Sequence, residues 1–143
     1  VTERAFAEAG DIDRVWMLTS LSQVAVPMAS AILRFVFPDR YGTVDWRNWY
    51  VLSHPRNSKG KPNELVGGPL LPQIGSVERL SSIGITPQHF QMYLEVMRGL
   101  AAGCRRTRVA GSIPVLRTLE TRCSERTPAE IDMAVFSYSW SFI

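Results

Sequence analysis

The sequence predicts an all-α fold, a compact multi-helix domain of five to seven helices with one long loop. Three observations carry this. Thr86-Pro87 and Thr127-Pro128 each read as a helix start, with Thr capping the free amides of the first turn and Pro fitting the first helical position. The residues that follow place apolar side chains at helical spacing. No segment alternates convincingly as a strand, and the best candidate, Val109 to Val115, is broken by Gly111 and Pro114.

Taken along the chain, Asp11 or Asp13 opens a helix through Val15, Trp16 and Leu18 toward Leu21, with acidic charge favoured near its N-terminus. Pro27 to Phe37 is apolar on nearly every side and is expected to be the central, buried helix. Pro38-Asp39-Arg40-Tyr41-Gly42 is turn chemistry. A short helix is expected from Asp45 to about Leu52. Ser53 to Ile85 is rich in Gly, Pro, Ser and Lys and reads as the long loop, with a short helix near Val77 to Leu80. From Pro87, the residues Phe90, Leu94, Met97 and Ala101 form one stripe, joined by Tyr93 and Leu100. From Pro128, Ile131, Ala134, Val135 and Tyr138 form another. Met92, Met97 and Met133 are read as core filler.

Length and composition set the bounds. A chain of 143 residues with 45% hydrophobic and 20% charged residues fits a single helical domain over 1–143 with a real core. The longest apolar run, Val24 to Val36, is interrupted by Pro27, Ser30 and Arg34, too short and broken to span a bilayer. No secretory signal is read at the start of the chain, and from Val1 as first residue the expectation is a fragment or processed product with an N-terminal helix missing. Cys104 and Cys123 show no CxxC spacing, and with only His54 and His89 they supply no zinc site, so no metal or cofactor is expected. Two thiols in a reducing, cytoplasmic setting are the plain reading; a single disulfide is the other.

The net charge is only +3, yet the sixteen basic residues are Arg except for Lys59 and Lys61. Arg suits bidentate phosphate contacts, and it is also what a GC-rich genome encodes by default. Two clusters are dense: Arg56, Lys59 and Lys61, and Arg105, Arg106 and Arg108.

The stretch Leu21-Ser22-Gln23-Val24-Ala25-Val26-Pro27-Met28-Ala29 resembles the helix-hairpin-helix signature of the HhH-GPD DNA glycosylases, which typically reads L-P-G-V-G-R-x-T-A. Ala31-Ile32-Leu33 continues the helix as in that family, and Thr43-Val44-Asp45 puts an Asp sixteen residues after Ala29, where the family has its catalytic carboxylate. Asp132-Met133-Ala134 and the aromatic C-terminal helix are similar to uncharacterised bacterial relatives of that fold. The resemblance implies a DNA partner and a monofunctional glycosylase-like domain. Asp45 would be the essential carboxylate, and Trp46, Trp49, Tyr50 and Trp16 would line a pocket for an extruded base. The hairpin residues Gln23, Val24, Ala25 and Val26 would offer amides to a phosphate, helped by Arg47, Arg105, Arg106 and Arg108.

The chain departs from the pattern at the hairpin glycines, which are Gln23 and Ala25, and at Pro27, where bifunctional members carry a Schiff-base Lys. Two cysteines also preclude a four-cysteine iron–sulfur cluster. The same residues admit a second reading, a catalytically silent module that binds nucleic acid or a protein partner in genome maintenance or phage defence. Asp45 is then a helix N-cap and the two tryptophans are core.

Overall fold

The computed structural model describes residues 2–7, 10–66, 68–75, 84–106 and 126–143. Six helices are formed by these residues: α1 (Thr2–Ala7), α2 (Asp11–Thr19), α3 (Val26–Val36), α4 (Trp46–Ser53), α5 (Pro87–Arg106) and α6 (Pro128–Phe142). The domain is all-α, as the proline punctuation and the apolar stripes predict. The expected helix at Val77 to Leu80, the segment Val109 to Val115, Arg108 and Cys123 lie outside the described residues, and of Cys104, Arg105 and Arg106 only the backbone, the last turn of α5, is described.

The local signals act as expected. Thr127 accepts from the Glu130 amide at 3.3 Å while the Glu130 carboxylate accepts from the Thr127 amide at 2.9 Å, a reciprocal capping box ahead of Pro128. Thr86 and His89 do the same for α5, the Thr86 hydroxyl accepting from the His89 amide and the His89 ring from the Thr86 amide. Asp45 caps α4.

α5 is the hub of the packing: α2, α3 and α6 all lie against it, and α6 also packs on α4. Its stripe of Phe90, Tyr93, Leu94, Met97 and Ala101 is buried as predicted. α1, which has no strong sequence signal, packs on α2 and sets Phe6 edge-on to Phe37 at 6.0 Å between ring centroids.

Two expectations about burial are overturned. α3 is not the buried centre: it buries Val26, Ala29, Ser30 and Leu33, whereas Met28, Val36 and Phe35 (83% exposed) face outward. The most enclosed helix is α4, in which Asn48 through Ser53 are all buried. An apolar sequence permits burial; a neighbouring element has to supply it. Likewise Met97 is core, but Met92 and Met133 are surface residues.

The described part of the long loop is pinned to α4. Asn63 donates its side-chain amide to the Val51 carbonyl at 2.6 Å and the His54 carbonyl at 2.9 Å, and the Leu70 amide donates to the Leu52 carbonyl at 2.7 Å. These bonds satisfy α4 carbonyls that no following helical turn reaches. Leu65, Val66 and Leu71 are buried in consequence. No helix among the described residues is long and apolar enough to cross a membrane.

Candidate nucleic-acid interface

The connection between α2 and α3 is a tight hairpin. The Leu21 amide donates to the Leu18 carbonyl at 3.1 Å and the Val24 amide to the Leu21 carbonyl at 3.2 Å. The turn is closed by Gln23, which adopts φ 66°, the one non-glycine residue in the left-handed region among those described. That conformation costs an L-residue with a side chain about 1–2 kcal/mol and is ordinarily taken by glycine. Gln23 therefore holds the backbone geometry expected of a glycine at its position, at an energetic cost.

Ala25 is the N-cap of α3 and supplies no side-chain acceptor. The first-turn amides of Val26 and Met28 therefore receive no cap from the Ala25 side chain, and Pro27 has no amide hydrogen to offer. Gln23 and Ala25 are exposed, Val24 is half-buried, and Val26 is buried through its side chain. The hairpin thus presents backbone donors and the positive end of the α3 dipole on an accessible corner.

Asp45 is half-buried at the start of α4. Its Oδ1 accepts from the Asn48 amide at 2.8 Å. Burial pushes its carboxyl above the ordinary range, only partly offset by the amides of Asn48 and Arg47 and by the Arg47 charge. Arg47 lies between two indoles, its guanidinium 4.6 Å from the Trp46 ring and 4.2 Å from the Trp140 ring. Its flat faces are occupied by these rings.

The four aromatic residues assigned to a base pocket are not brought together as one. Trp49 is fully buried, donates its indole N–H to the Pro72 carbonyl at 2.9 Å and meets His89 edge-on. Tyr50 is buried, with its ring stacked on His54 at 4.0 Å. Neither offers a free face to a base without repacking of the core. Trp16 is 53% exposed on α2, and Trp46 is half-buried against Arg47. The exposed aromatic ring linked to the Asp45 end of α4 is Trp140, which the hairpin-based reading omits because it lies 95 residues further along the chain, in the last turns of α6.

A second site missed by sequence reasoning is the buried carboxylate of Asp132, 2% exposed. It accepts from the Thr43 amide at 3.1 Å, the Asn48 side-chain amide at 2.7 Å and the Tyr93 hydroxyl, with Arg34 Nε 3.7 Å away. Burial pushes this carboxyl up, and those four partners pull it back only in part. The signal available in the sequence was an acid at helical spacing from Pro128, Ala129 and Val135, which are buried on the same helix.

Of the basic clusters, Arg56 is turned back on its own loop, donating to the Gly60 carbonyl at 3.0 Å, and Lys59 and Lys61 are exposed beside it. Among the described residues, no group of three His, Cys, Asp or Glu side chains could hold a metal ion. No family model, curated protein or solved structure matches the chain.

Proposed function

We propose that this domain binds DNA through its α2–α3 hairpin, with the uncapped amides at the start of α3 receiving a backbone phosphate. The observation that supports this reading is the strained Gln23 at φ 66° leading into a helix whose N-cap, Ala25, has no acceptor of its own. Strain of this kind persists where the surroundings require the geometry and is concentrated at binding sites. The Arg-rich composition and net charge of +3 agree with a polyanionic partner.

Ala25→Asp tests the proposal. Asp is a good N-cap, so the substitution stabilises α3 by about 1 kcal/mol. The same carboxylate occupies the amides and repels phosphate. The expected result is a higher unfolding midpoint together with weaker duplex affinity. Unchanged affinity in a more stable variant overturns the proposal.

Asp45 favours a second reading on the same scaffold, base excision by a glycosylase-like reaction. What supports it is a half-buried carboxyl with a raised pKa, bonded by the Asn48 amide at the entrance of α4, a type of group that stabilises positive charge on a sugar or activates water. Asp45→Asn preserves the cap and removes the carboxylate. Excision that is lost at unchanged stability supports the enzyme. A wild type that releases no base from a broad panel of damaged duplexes removes this reading and leaves the binding module.

A further inference from the structure

We infer that Asp132 is a positioning residue for the Asp45 carboxyl, acting through the Thr43 amide and the Asn48 side chain. The inference rests on the reading of Asp45 as the reactive carboxylate. Its physical basis is the strap of residues between α3 and α4. Gly42 packs so closely on α6 that a Cβ there would stand 3.0 Å from the Asp132 Cβ and 3.4 Å from the Pro128 carbonyl. The Thr43 amide donates to Asp132 Oδ2 at 3.1 Å, and the Val44 amide donates to Ser30 Oγ at 3.1 Å. Asp45 comes next, with its Oδ1 on the Asn48 amide. The Asn48 side chain in turn donates to Asp132 Oδ1 at 2.7 Å and to the Tyr93 hydroxyl at 3.1 Å. Every residue from Gly42 to Val44 is therefore anchored just before Asp45, and Asn48, which fixes the Asp45 oxygen, is anchored just after it. Asp132 touches both sides.

The choice of an anion for this task has a reason. A carboxylate that accepts from several donors forms charge-assisted bonds about twice as strong as neutral ones. Burial makes those bonds costly to lose, because the charge would be left without donors. A half-satisfied version of the network would be worse than an apolar contact, so the arrangement has one rigid solution. The network is nearly complete: only the Asn48 Oδ1 lacks a hydrogen-bond partner, and the orientation of that amide is set by its donor side.

Asp132→Asn and Asn48→Ser test the inference, each on the full chain, with the Asp45 carboxyl titrated by carbon NMR and amide exchange followed in parallel. Loosening the strap lets water reach Asp45, so its midpoint falls toward the ordinary carboxylate range. Exchange at Asn48 and its neighbours should speed by about tenfold relative to the α5 core, as the loss of a hydrogen bond to a charged group implies. Asn48→Ser retains the Asp132 charge, so the same fall in that variant excludes a direct charge effect; if Asp132→Asn fails to fold, Asn48→Ser carries the test, and if Asn48→Ser fails to fold, Asn48→Thr, which also retains that charge, takes its place. A structural clasp alone predicts uniformly faster exchange and an unmoved Asp45 midpoint, and that result overturns the inference. The readout needs no activity: absence of excision by the wild type removes the Asp45 reading, while the titration judges the positioning by itself.

Discussion

Gln23 closes the α2–α3 hairpin. Its side chain is exposed and its φ of 66° belongs to glycine's territory, so its cost is almost wholly conformational. Gln23→Gly should therefore stabilise the domain by about 0.5–1 kcal/mol, the relief of strain being offset in part by the added freedom of the unfolded chain. Urea unfolding of the two proteins measures this, and no gain would mean that the left-handed turn is not strained. The residue scale is also where sequence was the poorest guide. Trp49 and Tyr50 look the same in sequence whether they line a pocket or fill a core; the Pro72 carbonyl and the His54 ring decide it, and neither partner is predictable from spacing. Asp132 was opaque for a related reason. Its partners Thr43 and Asn48 lie 89 and 84 residues away, beyond the reach of any local pattern.

At the scale of elements, legibility follows how local the cause is. The starts of α5 and α6 are set by Thr-Pro and by caps three residues long, and these were readable. Thr127→Ala should cost about 1 kcal/mol, since it removes the hydroxyl that accepts from the Glu130 amide while the Glu130 carboxylate keeps its bond from the backbone amide of residue 127. Thermal unfolding reads this loss, and Thr127→Ser should restore most of it. The hairpin was readable as a spacing but not as a conformation, because sequence alone weighed against a left-handed Gln. The burial of α3 was misjudged because its composition is uniformly apolar while only its Val26, Ala29, Ser30 and Leu33 side meets other helices. The enclosure of α4 comes from outside its own sequence, through the loop bonds from Asn63 and Leu70.

Across the whole molecule, a polar cluster ties distant parts of the chain together. Arg14 donates to the Tyr41 hydroxyl at 2.8 Å, Tyr41 donates to Asp11 at 2.6 Å, and Arg98 donates to the other Asp11 oxygen at 2.6 Å. α2, the turn after α3 and α5 meet there. Burial alone would raise the Asp11 carboxyl, but the bonds from Arg98 and Tyr41 and the nearby cations outweigh it and hold it below the ordinary range. A carboxyl lowered on folding adds stability that is complete above its unfolded value and is lost as pH falls through its folded value. Asp11→Asn should therefore destabilise the domain at neutral pH, and the gap from wild type should narrow as the pH falls below the ordinary carboxylate range. Asp45 and Asp132 act with the opposite sign. Their folded values are raised, so each opposes folding at neutral pH and that opposition fades as pH falls through the folded value. Denaturant melts across pH for wild type and Asp11→Asn check the first statement; a constant gap would contradict it.

The claim that the hairpin grips phosphate is tested most directly by duplex affinity measured across salt concentration for the wild type and Ala25→Asp. Each phosphate engaged contributes a slope of about −0.9 in log affinity against log salt. The expected result is a linear fall for the wild type, and weaker binding with a shallower slope once a carboxylate stands at position 25. Affinity that does not respond to salt, or two proteins with the same line, would contradict it.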